Sequence, residues 1–165
     1  RTIALDIGTV RIGVAVSDPF MLFAQGLTVL SAEGGWMEEL AGIIKTYDAR
    51  AMLVGMPRRT DGSYGPEAER MKAVIAELSA RFPEVEVIPW DERFTTVIAT
   101  QALLEADVPR KGRRTHVDKV ASTLLLQGYI DYLRKNQAGC AEQALFTAKA
   151  DVRRAKRKGK NKNYD

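Results

Sequence analysis

Ile3-Ala4-Leu5-Asp6-Ile7-Gly8-Thr9-Val10-Arg11-Ile12-Gly13-Val14-Ala15-Val16-Ser17-Asp18 is the stretch on which the reading of this chain turns. Ile3, Leu5 and Ile7 alternate with Ala4 and Asp6, and Ile12, Val14 and Val16 alternate with Gly13, Ala15 and Ser17. A period of two on either side of a glycine turn is the pattern of a half-buried β-hairpin. Asp6 is the exception, because an ionised carboxylate in mid-strand is costly unless a cation or several donors compensate it. Its neighbours Ala4, Gly8, Gly13 and Ala15 are small. They leave room above the sheet for a metal ion, a phosphate or a closely packed helix. Beside that stands a plainer reading, in which Asp6 ends a strand and caps a turn.

Asp-x-Gly hairpins of this kind open two unrelated chemistries, the RNase H-like nucleases and the actin and sugar-kinase ATPases, and the hairpin alone does not separate them. Length weighs against the ATPases, which close a cleft between two such domains. The chain has 165 residues, 45% of them apolar, enough for one domain with a real core and no disulfides. Its single cysteine, Cys140, argues against a disulfide framework and a thiolate metal cluster, and suits a reducing compartment. No run of about 18 apolar residues is present, and the N-terminus enters a strand at once, so no membrane span or signal peptide is expected. The expected location is the cytoplasm, although the chain opens at Arg1 without methionine and an upstream segment stays open.

The net charge of +4 is unevenly distributed. From Lys149 onward eight Lys and Arg stand against Asp151 and Asp165, which leaves residues 1–148 with 17 of the 25 basic and 19 of the 21 acidic side chains. Any nucleic acid must therefore be held by local patches and by the tail, because the overall field of the folded part would not attract it.

Beyond the hairpin, Gly26 to Leu30 reads as a third strand, and Gly34-Gly35 precedes a helix with Trp36, Leu40, Ile43, Ile44 and Tyr47 at helical spacing. Ala51 to Met56 is a continuous apolar run ended by Pro57, as expected of a strand buried on both faces. After a polar loop, Pro66 with Glu67 and Glu69 starts a helix carrying Met71, Val74, Ile75, Leu78 and Phe82, and Val85 to Trp90 is a fifth strand. Three antiparallel strands followed by two reached through helical crossovers predict an α/β fold, a mixed five-stranded sheet flanked by helices. Further helices are expected from about Thr96 to Ala106 and over Val117 to Arg134, the latter with Val117, Val120, Ala121, Leu124, Leu125 and Gly128 on one face. Arg153 to Asp165 is a basic low-complexity tail expected to be disordered alone.

Asp6, Glu92 and Asp118 are the candidate acids, each placed where an element begins or ends at one rim of the predicted sheet. Two Mg²⁺ or Mn²⁺ ions about 4 Å apart on a scissile phosphate need oxygen ligands of this kind, one to activate water and one to stabilise the leaving oxygen. Asp118 has a second reading. Thr115-His116-Val117-Asp118 has the form of a capping box. At the helical period it also lies roughly 70° from the centre of the apolar stripe, so it borders the buried face.

Four motifs in order resemble one family, the YqgF or RuvX proteins of the RNase H-like superfamily, related to the RuvC Holliday-junction resolvase. They are Leu5-Asp6-Ile7-Gly8 through Arg11 to Asp18, Val54-Gly55-Met56-Pro57 with Asp61-Gly62-Ser63, Trp90-Asp91-Glu92-Arg93-Phe94-Thr95-Thr96, and Val117-Asp118-Lys119. The resemblance spans residues 2 to about 135. It implies an RNase H-like fold and a metal-dependent nuclease, a hydrolase of phosphodiester bonds linked in bacteria to 5′-end maturation of precursor 16S ribosomal RNA, and earlier to cutting Holliday junctions. It carries over Asp6, Glu92 and Asp118 as metal ligands. It also exposes a departure, since the wider superfamily usually places an acid at the end of the fourth strand, where this chain has Met56-Pro57. Glu92 on the fifth strand must then substitute.

The composition changes after Asn136, which sets the domains at 1–136 for the nuclease and 137–165 for a C-terminal extension with a basic tail. Around the acids, Arg11, Arg58, Arg59 and Arg93 lie in loops of the predicted rim, and Arg110, Lys111, Arg113 and Arg114 precede the Asp118 helix. These are the candidate phosphate contacts. No aromatic-rich RNA-binding segment is present, so recognition of the backbone and shape of an RNA precursor, or of branched or single-stranded DNA, is expected with little base reading. A monomer or weak homodimer is expected. The competing class is a catalytically inert binding module, against which retention of all three acids argues.

Overall fold

The computed structural model describes residues 1–57, 61, 63–91 and 119–137. The opening stretch forms the predicted hairpin: β1 (Thr2–Ile7) and β2 (Arg11–Ser17) pair antiparallel, with Ala4 opposite Ala15 and Asp6 opposite Gly13. β3 (Ala24–Ser31) runs antiparallel to β2 and starts two residues before the expected Gly26. The ladder extends because a bulge intervenes, Val14 pairing with Thr28 and Ala15 with Gly26 so that Leu27 is skipped. β4 (Ala51–Met56) joins β1 in parallel and β5 (Glu86–Asp91) joins β4 in parallel, giving the order β3-β2-β1-β4-β5. This is the mixed five-stranded sheet the sequence predicts.

Helices α1 (Trp36–Tyr47) and α2 (Pro66–Arg81) begin after Gly34-Gly35 and at Pro66, where the sequence signals them. Both cover one face of the sheet. There Ile3, Leu5, Val14, Met52 and Val54 pack with Leu40 and Ile44 of α1 and with Met71 and Leu78 of α2. Ile3, Leu5, Leu40 and Leu78 are 0% exposed, and each contributes roughly 1.5–3 kcal/mol relative to exposure.

Residues 119–137 are helical. The chain divides into units of Arg1–Ile130 and Asp131–Asp165, and the helical part in the first unit, residues 119–130, is α3 below. α3 covers the opposite face, where Leu125, Leu126 and Ile130 pack on Ala4, Ala15, Leu53 and Trp90. The expected stripe needs correction here: the helix buries Ser122, Leu125, Leu126 and Ile130, while Val120, Ala121, Leu124 and Gly128 stay part-exposed. Ser122 is inside because its hydroxyl is satisfied by the Lys119 carbonyl at 2.9 Å and because it is small. Apolar periodicity cannot see a serine in that role.

Close approach of α3 to the sheet edge depends on Gly26. A Cβ there would lie 2.9 Å from Thr123 Oγ1 and 3.4 Å from the Lys119 carbonyl oxygen. Gln127 fixes the helix along its length, accepting from the Ala24 N–H at 2.9 Å and donating to the Leu22 carbonyl at 3.4 Å. No described helix is long and apolar enough to cross a membrane.

Candidate active site

β1, β4 and β5 are parallel, so their C-terminal ends share one rim, together with the turn joining β1 to β2. Asp6 stands at that rim, next to last in β1 and half-buried. Strand residues alternate between faces, so Asp6 shares the face of Ala4, which is the face under α3. Its partner on β2 is Gly13. Continuing the β1–β4 register one step past Leu5 and Val54 sets Gly55 beside it on β4, and Gly55 pairs with Trp90 on β5. Neither flanking residue carries a side chain. The strip between them is roughly 10 Å wide, twice the strand spacing. At its far side Trp90 meets Tyr129 of α3 edge to face, with centroids 5.1 Å apart.

A carboxylate flanked by glycines on both neighbouring strands suits a hard cation. Such ions take oxygen ligands and keep part of their water shell, which needs this space. Among the described residues no group of three or more His, Cys, Asp or Glu side chains converges on a common point. Of the expected ligands only Asp6 is described; Glu92 and Asp118 lie outside the described residues, as do Arg58, Arg59, Arg93, Arg110, Lys111, Arg113 and Arg114. Arg11 is described and is the first residue of β2, at the rim. Asp91 follows Trp90, so alternation turns it to the α1–α2 side, away from Asp6.

The turn after Asp6 is tightly made. The Gly8 N–H donates to the Arg11 carbonyl at 2.9 Å, and a Cβ on Gly8 would lie 2.8 Å from that same oxygen. Its own carbonyl accepts from Arg70 Nη2 at 3.2 Å. Nothing in the sequence marks Arg70, because a lone arginine on the exposed face of an amphipathic helix gives no local signal. The partner is 62 residues away in sequence.

Asp18, at the end of the same opening motif, lies at the other edge of the sheet. Its carboxylate accepts from the backbone N–H groups of Phe20, Leu22 and Phe23 at 2.9, 2.6 and 2.8 Å. These bonds, that from Phe23 foremost, hold its carboxyl below the usual carboxylate range. Its role is to shape the β2–β3 turn.

A sheet of order β3-β2-β1-β4-β5 with an acid at the C-terminal end of β1 defines an RNase H-like domain. The family model described as "RuvX: Holliday junction resolvase" matches residues 1–132, and the chain belongs to the RuvX family. Relatives named "Putative pre-16S rRNA nuclease" include one from Halalkalibacterium halodurans, 42% identical over 135 residues, covering 79% of this chain and 96% of that protein. Another, from Moorella thermoacetica, is 44% identical over 141 residues, covering 82% and 98%. Among solved structures, a Fowlpox virus resolvase with Holliday junction DNA aligns over 80% of this chain and 97% of its own, at 13% identity and a TM-score of 0.47. RuvC of T. thermophilus with a Holliday junction substrate aligns over 79% and 94%, at 15% identity and a TM-score of 0.42.

Proposed function

We propose that the chain is a metal-dependent nuclease that hydrolyses phosphodiester bonds in the 5′-end maturation of precursor 16S ribosomal RNA. The observation that carries this reading is the position of Asp6, half-buried at the strand rim with Gly13 and Gly55 on either side, on the face that α3 covers. The names of relatives more than 40% identical over nearly their whole length support the substrate.

Asp6, Glu92 and Asp118 are the residues that would hold Mg²⁺ or Mn²⁺. When bound, such ions supply Lewis acidity at the phosphate and a water that loses its proton near neutral pH. Two observations favour these acids over their neighbours. Asp91 faces away from Asp6, and for a strand continued by one residue alternation would return Glu92 to Asp6's face. Asp118 precedes Ser122 by four residues and Leu125 by seven, and for a helix continued by one residue that spacing would set it on the face of these two buried residues. Arg11 and the loop cations Arg58, Arg59, Arg93, Arg110, Lys111, Arg113 and Arg114 would orient the phosphates around them. In this reading residues 1–136 form the nuclease and 137–165 a basic extension.

The description of the matching family favours a second reading, cleavage of four-way DNA junctions. One panel decides between them: a precursor ribosomal RNA 5′ leader, a single-stranded DNA and a four-way junction, each incubated with Mg²⁺, Mn²⁺ or EDTA. The leader should be cut with metal and left intact in EDTA. Preferential cutting of the junction would establish the second reading, and cutting that persists in EDTA would remove metal dependence from both.

A further inference from the structure

We infer that Arg70 is a phosphate-contact residue of this site, binding a backbone phosphate of the nucleic acid at the turn that follows Asp6; the inference rests on the nuclease reading above. Arg70 sits in the first turns of α2, where buried Ala68 and Met71 fix the helix against the core and leave Arg70 on the exposed side. Its Nη2 lies 3.2 Å from the carbonyl oxygen of Gly8, two residues past Asp6, which holds the guanidinium at the rim.

The chemistry of that contact matters. A guanidinium has five N–H donors and a full charge, and a neutral carbonyl uses one donor and cancels none of the charge. Three other exposed cations are matched to acids, Arg81 to Glu38 at 2.8 Å, Lys72 to Glu69 at 2.9 Å and Arg50 to Asp48 at 2.9 Å. Among the described residues Arg70 has no carboxylate partner. Glu69, its neighbour in the chain, is taken by Lys72. A tethered arginine also loses less side-chain freedom on binding than a mobile one, and its planar fork fits two phosphate oxygens.

A structural role, in which Arg70 only holds the turn, predicts different behaviour. Arg70→Gln keeps an amide donor for the Gly8 carbonyl and removes the charge; Arg70→Lys keeps the charge. Lys45→Gln removes one charge from the last turn of α1, at the opposite edge, where Arg1 lies 5.5 Å over the Tyr47 ring. Binding of a labelled single-stranded RNA in EDTA is measured over a range of salt, with KM and kcat for cleavage measured in Mg²⁺.

For Arg70→Gln, affinity at low salt should fall on the order of tenfold, and the log–log salt slope should shrink by about 0.7, the share of one phosphate. KM should rise and kcat stay put. Arg70→Lys should keep the wild-type slope, and so should Lys45→Gln. An unchanged slope in Arg70→Gln, a loss confined to kcat, or an equal slope change in Lys45→Gln would overturn the inference. Wild-type protein that neither binds nor cuts RNA would overturn it together with the nuclease reading, whereas wild-type cleavage with an unmoved Arg70→Gln slope would remove the inference alone.

Discussion

Asp6→Asn removes one charge and almost no volume from a strip bordered by glycines. If the proposed function holds, cleavage should fall by a factor on the order of 10² or more, because a metal site built on Asp6 would lose a charged ligand. On the proposed reading, in which Glu92 and Asp118 share the site with Asp6, the fold should remain, with a melting temperature equal to or above that of the wild type, since carboxylates clustered without metal repel one another. Near-normal cleavage by this variant would end the two-metal reading. The pair Asp91 and Glu92 gives the matching comparison. Asp91 points to the α1–α2 side, so Asp91→Asn should leave cleavage within a few-fold of wild type while Glu92→Gln abolishes it; the reverse result would move the second ligand to Asp91.

At the scale of the element, the β2–β3 turn depends on one ionised group. Asp18 accepts three backbone N–H bonds, and its folded pKa lies below the ordinary value of 3.8. A carboxyl whose pKa is lowered by folding stabilises the fold fully above its unfolded pKa and loses that contribution as pH falls through the folded value. Thermal unfolding of the wild type should therefore show a component that is flat from neutral pH down to about 5 and declines below 4. Asp18→Asn should lower the melting temperature at pH 7 and remove that acid-side component. Equal melting profiles for the two proteins between pH 3 and pH 7 would show that the three bonds add nothing to stability.

For the whole molecule, charge is the property that matters most, and the block from Lys149 to Asp165 carries the largest share of it. Removing residues 149–165 should weaken binding to a labelled single strand and reduce its salt dependence, by about 0.7 in log–log slope for each phosphate the tail neutralises. The cleavage rate at saturating substrate should not change, because the acids remain. Identical salt dependence of the truncated and full-length proteins would mean that the tail touches no nucleic acid. Much of the architecture is legible in the sequence by itself, because its causes are local: period-two alternation defined the β1–β2 hairpin, helical spacing after Gly34-Gly35 and at Pro66 defined α1 and α2, and a continuous apolar run marked β4 as buried on both faces. Asp6 stood out for the same reason, a charge where the pattern demands an apolar residue. Relations between distant residues were decided only in three dimensions. The register put Gly13 and Gly55 beside Asp6 and turned Asp91 away, Ser122 went inside α3 because its hydroxyl found the Lys119 carbonyl, and Arg70 reached Gly8 across 62 residues. Such contacts join groups whose separation along the chain carries no period, so no local pattern encodes them; packing of the helices on the two sheet faces sets them.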